Sequence, residues 1–148
     1  MNGVELFLLG RALMKIGEES LPEPPGGADR QAGGARLTLI VAGDVAAHPG
    51  TTVSEIVGRT GLPQSQVSTA VARLREAGSV EAAPDPADRR RTLLHPAAEP
   101  SPRVAEVRAT SIGPALAAAL PAVTPAELRQ LTAALDLLAH HLRPTTRA

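Results

Sequence analysis

The 148-residue chain has no cysteine, tryptophan or tyrosine, and Phe7 is its one aromatic ring. Without cysteine there is no disulfide framework, thiolate metal site, iron–sulfur cluster or thiol switch. With one ring, the sequence argues against the single-strand and RNA binders that stack bases on aromatic side chains. Lysine is almost missing too: of 15 Lys+Arg only Lys15 is a lysine. The arginines come with abundant Ala, Gly and Pro, which points to a coding bias rather than a need for guanidinium groups. Net charge is also lacking, since 15 acids balance 15 bases. Taken alone, that neutrality argues against nucleic acid. No apolar run reaches the roughly 18–20 residues of a membrane span. Val4–Leu9 lacks the basic start and cleavage site of a signal peptide. The expectation is a soluble cytoplasmic protein with no membrane partner and a length that suits one domain with its own core.

Apolar spacing and end signals organise the chain. Leu6, Leu9, Leu13 and Ile16 lie three and four apart, which predicts a helix over Asn2–Gly17. Leu21–Gly34 is dense in Pro and Gly and reads as a mobile linker. A second helix is predicted over Ala35–Ala47, stopped at His48-Pro49-Gly50. Thr52-Val53-Ser54-Glu55 is a capping box opening a short helix whose inner face is Val53, Ile56, Val57 and Thr60. Gly61 suits its left-handed end. The next helix runs from Pro63 to about Ala77, with Val67, Ala70, Val71, Leu74 and Ala77 facing a core, and Gly78 closes it. Ser79–Ala83 and Arg91–His95 then read as paired strands around a turn-rich, charged tip, with Pro96 ending the second. Ser101-Pro102 starts a long helix to about Leu120, kinked at Gly113-Pro114. Thr124-Pro125-Ala126-Glu127 caps a last helix carrying Leu128, Leu131, Leu135, Leu138 and Leu142 at helix-packing intervals.

The fold expected is therefore mainly α with a small β-hairpin wing: a winged helix-turn-helix flanked by helices that dimerise. Residues 1–36 would hold the first dimerisation helix and linker, 37–96 the winged helix-turn-helix, and 97–148 the remaining dimerisation helices. The outer helices carry more leucine than so small a middle block could cover, and a second copy is the simplest cover.

Two features carry a functional reading. The outer face near the start of the helix after Pro63 is small and polar: Gln64, Ser65, Gln66, Ser68 and Thr69, with Arg73 flanking. Such side chains can hydrogen-bond base edges in a major groove, and glutamine pairs bidentately with adenine. The helix start also offers free N–H groups to a phosphate. The plainer reading is a solvated helix face. The second feature is Asp88-Arg89-Arg90-Arg91 at the hairpin tip. Three adjacent guanidiniums repel one another unless an anion is near. Asp88 can hold one by a charge-assisted bond, leaving another to enter a minor groove, whose negative potential attracts arginine. A solvated charge run is the usual reading of such a segment, but its place one motif after a reading helix favours DNA.

Thr52–Gly61, Leu62–Val80 and above all the Asp85–Leu94 wing (DPADRRRTLL) resemble the winged helix-turn-helix of MarR-type transcriptional regulators. The resemblance covers most of the chain and is sharpest over 52–94. It implies a homodimer on a palindromic operator, with one helix per subunit in the major groove and each wing in the adjacent minor groove. It also implies that Arg90 enters the groove and Asp88 positions it. A repressor released by a small-molecule effector, bound between the DNA-binding lobe and the dimer helices, is the usual behaviour. Three departures stand out: Thr69 where the family often has arginine, His95-Pro96 at the end of the wing, and the Pro/Gly-rich linker. The lack of cysteine excludes the family's peroxide-sensing branch.

His48, His95, His140 and His141 do not converge by spacing, so no metal ligand set is expected. No cofactor loop and no strained nucleophile elbow is present, and an enzyme is not expected. The rival reading is a winged-helix module that binds another protein and never touches DNA.

Overall fold

A computed structural model describes residues 1–22 and 32–142. They form seven helices and one antiparallel hairpin: α1 (Gly3–Ser20), α2 (Ala32–Ala47), α3 (Val53–Thr60), α4 (Gln64–Glu76), β1 (Val80–Pro84), β2 (Thr92–Pro96), α5 (Pro102–Ala109), α6 (Gly113–Ala119) and α7 (Pro125–Leu142). The chain divides into two compact units. One holds residues 1–22 and 109–142, the other residues 32–108.

The second unit contains the core. Val41 and Val45 of α2, Ile56 of α3, Val67, Ala70, Val71 and Leu74 of α4, Val80 of β1 and Leu94 of β2 are all buried against one another. The α4 residues recur at intervals of three and four, so one stripe of that helix is apolar and the other is left to solvent. Ala77, expected on the core face, is instead exposed, because it is the C-cap and the helix has already ended. Thr51, one residue before the α3 cap, forms an isolated bridge with Leu94, a pairing that the sequence reading missed.

Local chemistry sets the helix ends. The Thr52 hydroxyl accepts the Glu55 N–H at 3.3 Å, and the Glu55 carboxylate accepts the Thr52 N–H at 2.8 Å. Gly61 ends α3 at φ 69°, a backbone conformation that costs an L-residue about 1–2 kcal/mol. At the end of α4 the Gly78 N–H reaches the Arg75 carbonyl and the Ser79 N–H reaches the Leu74 carbonyl, the paired bonds of a Schellman motif. That use of Ser79 explains why β1 begins one residue later than expected; β2 does so because Arg91 bonds to Asp85 and Asp88 within the tip. The register pairs Val80 with Pro96 and Pro84 with Thr92, with each proline at a strand end, where a missing N–H is tolerated. The hydroxyl of Ser101 donates to the Ala77 carbonyl at 2.7 Å and accepts the Val104 N–H, joining the start of α5 to the end of α4.

In the other unit, Asn2 and Glu5 form a reciprocal capping box on α1, which runs to Ser20 rather than Gly17. Thr124 and Glu127 do the same for α7. Helix α6 packs on both α1 and α7, and Leu116 is the buried side chain among this unit's described residues. The single kinked helix expected over 102–120 is two helices. Pro114 has no N–H to continue the ladder and its ring crowds the preceding turn, so α6 starts anew with the Ser111 hydroxyl accepting the Gly113 N–H. The expected linker is shorter than Leu21–Gly34, because Ala32–Gly34 already belong to α2. Its centre, residues 23–31, lies outside the described residues.

Candidate nucleic-acid interface

Helix α4 turns its polar stripe outward. Gln64, Ser65, Gln66, Ser68 and Thr69 are all exposed while Val67 between them is buried. Pro63 is the N-cap and contributes no side-chain hydrogen bond, so the first amides of the helix are not capped by their own sequence. The Thr69 hydroxyl donates to the Ser65 carbonyl at 2.9 Å, leaving its oxygen as an acceptor. Arg73 is exposed but lies back towards α2: a Cβ at Gly34 would sit 2.7 Å from its Nη1 atom. An open groove of about 580 Å³ runs between α2 and α4, lined by Leu37, Thr38, Ser65, Gln66, Thr69 and Arg73 among others.

The wing tip is shaped by two aspartates. The Asp85 carboxylate accepts the Ala87 N–H at 2.9 Å, and the Asp88 carboxylate accepts the Arg90 N–H at 3.0 Å. Each is an Asx turn, a side chain standing in for a backbone turn bond. The Asp85 N–H to Arg91 carbonyl bond, 2.9 Å, closes the loop. Asp88 thus holds the backbone of Arg90, where the sequence reading expected it to hold a guanidinium. The guanidinium that is held is that of Arg91. Its Nη2 lies 3.2 Å from Glu55 Oε1 and its Nη1 lies 3.7 Å from Asp85 Oδ2. Among the described residues no carboxylate lies within ion-pair distance of Arg89 or Arg90, and both are exposed. The arginine run is therefore split in character, two charges outward and one tied down.

A chain of polar contacts runs from the wing into the helices. The Thr51 hydroxyl donates to Glu55 Oε2 at 3.2 Å and accepts from Arg59 Nη2. Arg59 also forks onto Asp44 of α2, with Nε–Oδ1 3.0 Å and Nη2–Oδ2 2.7 Å. The Thr52 backbone bond holds the Glu55 carboxyl below its ordinary value, helped by the Thr51 and Thr52 hydroxyls and the Arg91 charge against the opposing cost of desolvation. The Asp44 hydrogen bonds raise the Arg59 guanidinium in the same way. Sequence reading missed Asp44, Thr51, Arg59 and Asp85 as supports of the wing and helices, because nothing in the spacing joins residues 44, 59 and 91. The Asp85-x-x-Asp88 pair was the one local signal, each aspartate beginning its own turn. Among the described residues no three His, Asp or Glu side chains gather as a metal site would require, and no described helix is long and apolar enough to cross a membrane.

A capped helix, a glycine-cornered turn, a second helix with an outward polar stripe and a hairpin beside it define a winged helix-turn-helix protein. Residues 38–91 match the model of the MarR family. That segment, about a third of the chain, is similar in sequence to the family, and the chain has the winged-helix fold of solved transcriptional regulators. Solved structures with this fold include the YusO protein of Bacillus subtilis (TM-score 0.54, 22% identity, 95% of this chain and 99% of that one). FabT of Streptococcus pneumoniae, solved in complex with DNA, matches at TM-score 0.51 and 16% identity over 93% of this chain and 92% of that one. The PcaV transcriptional regulator of Streptomyces coelicolor, in complex with its natural ligand, matches at TM-score 0.50 and 20% identity over 93% and 91%. No curated protein matches the sequence.

Proposed function

We propose that the protein is a homodimeric, sequence-specific DNA-binding regulator that represses transcription and is released by a small-molecule effector. It acts in the cytoplasm, by binding and without catalysis. The observation that carries this reading is the pairing of an uncapped, polar α4 start with a wing in the same unit whose Arg89 and Arg90 have no carboxylate partner among the described residues. Gln64, Ser65, Gln66, Ser68 and Thr69 read base edges, Arg89 and Arg90 neutralise phosphates or enter a minor groove, and Asp88 sets the Arg90 backbone. Residues 37–96 hold this lobe, while 1–36 and 97–148 supply the dimer contacts. A palindromic operator follows from two-fold symmetry. FabT with DNA and PcaV with its ligand support the class of partner.

The test is binding of labelled duplexes tiling the DNA that flanks the protein's own gene, titrated with salt. A DNA binder loses affinity with a slope of about −0.9 per phosphate neutralised, and Arg90→Ala should weaken binding and shallow that slope by about 0.9 for each subunit on the operator. Ser65→Ala or Gln66→Ala should change base preference by about 1–3 kcal/mol. Equal response to cognate and scrambled duplexes would remove α4 as the reader. Complete failure to bind would favour the protein-binding winged helix, a reading to which the neutral chain and the absent arginine at position 69 lend weight.

A further inference from the structure

We infer that Arg91 is a positioning residue that fastens the wing to the helix-turn-helix through Glu55, and not a DNA contact like its two neighbours. The inference rests on the DNA-binding reading for its consequence, but its geometry stands apart from it. Glu55 is held by its place as the third residue of α3, where one carboxylate oxygen takes the Thr52 N–H and the Thr51 hydroxyl. Thr51 is itself pinned to the wing strand, because its carbonyl accepts the Leu94 N–H at 2.7 Å. The other oxygen of Glu55 points across 36 residues of sequence to Arg91 Nη2. Arg91 sits where the hairpin tip rejoins β2, its N–H bonded to the Asp88 carbonyl and its carbonyl to the Asp85 N–H. One carboxylate therefore closes the α3 cap and tethers the base of the wing, and Asp85 supplies a second anion on the wing side. A guanidinium shared between two carboxylates has little net charge to offer a phosphate. Arg89 and Arg90 keep theirs, on a tip whose root is fixed.

Glu55→Gln isolates this tie, because glutamine preserves the capping box and the acceptor for Thr51 while removing the charge facing Arg91. Arg91→Gln removes the other partner, and the double variant completes a cycle. Two measurements decide. In the free protein, amide hydrogen exchange at Asp85 and Arg91 should quicken about two- to fivefold in each single variant, the factor an exposed ion pair of ordinary strength contributes. The double variant should be no faster than the singles. On duplex DNA each single variant should lose about two- to fivefold in affinity with the wild-type salt slope kept. For Glu55→Gln that loss runs against simple electrostatics, since removing an acid near DNA would otherwise tighten binding. The proposal is overturned if Glu55→Gln tightens binding, if Arg91→Gln shallows the slope by about 0.9 per subunit as a lost phosphate contact would, or if exchange at the two amides is unchanged. Should the wild-type protein bind no duplex, the regulatory reading fails while the exchange cycle still decides the tie.

Discussion

Single side chains do two jobs in this protein where a list of motifs assigns one. Glu55 is a helix cap by sequence and a wing anchor by structure, and its acid behaviour follows. Its carboxyl is lowered from 4.5, chiefly by the Thr52 backbone bond. In the window below that value the unfolded chain binds more protons than the folded one, so stability rises with pH. The contribution is complete above about 4.5 and disappears as acid drives the folded carboxyl to protonate. Glu127, lowered by its bonds to Thr124, adds to the same window. Urea unfolding at pH 5 and pH 3 should therefore show a smaller acid loss for Glu55→Gln than for the wild-type chain, and equal losses would refute it. Asp44 and Arg59 are a second pair worth removing. Asp44 is largely covered while Arg59 keeps about a third of its side chain exposed, at 33%, and Asp44→Ala should cost up to about 1 kcal/mol, the upper end for a solvent-accessible pair.

Among elements, the corners are where sequence legibility was highest. Capping boxes at Thr52 and Thr124, and glycine ends at 61 and 78, mark α3, α4 and α7 to within a few residues, because every partner involved lies within five positions along the chain; the Asn2–Glu5 box on α1 is as local but went unread. Gly61 and Gly78 share a positive φ but not a neighbourhood. A Cβ at Gly61 meets nothing within 4 Å, whereas one at Gly78 comes 3.2 Å from the Ser101 Cβ. Gly61→Ala should thus cost about 1–2 kcal/mol from backbone conformation alone. Gly78→Ala should cost more, by whatever displacing Ser101 and its bond to Ala77 requires, and denaturant melts of the two variants measure the difference. If both fall equally, the Ser101 contact contributes nothing. The break between α5 and α6 was harder to read. Gly113-Pro114 signals a disturbance, but whether a helix bends or stops there depends on whether packing holds the two halves in line.

For the whole molecule, the contrast between the two units matters most. The unit around α4 closes its own core. The other leaves Val4 71%, Phe7 68% and Leu142 72% exposed and has no fully buried side chain in α1 or α7. Apolar surface left on long helices invites a partner, and isologous pairing of two copies is the commonest closed arrangement. Light scattering should return twice the monomer mass at micromolar concentration, and Phe7→Glu or Leu138→Glu should shift it towards the monomer. A wild-type monomer would end the dimer proposal and with it the palindromic operator.

Sequence by itself determined most of the helices, the capped and glycine-ended corners, the hairpin and the winged-helix class, since each depends on residue type and on contacts a few positions apart. It also separated the buried and outward faces of α4, with Ala77 misjudged only because a cap residue no longer shares the helix's face. Even the chain's neutrality was informative once its distribution was clear: opposite charges cancel over the chain while Arg89, Arg90 and Arg91 gather at one tip. Only the tertiary structure decided what those charges do. It turned Arg73 towards Gly34, gave Asp88 to the Arg90 backbone, and handed Arg91 to Glu55 and Asp85. The physical reason is reach. A carboxylate and a guanidinium form a pair when folding brings them within about 4 Å, and separation along the chain says nothing about that until α2, α3 and the hairpin have docked on one core.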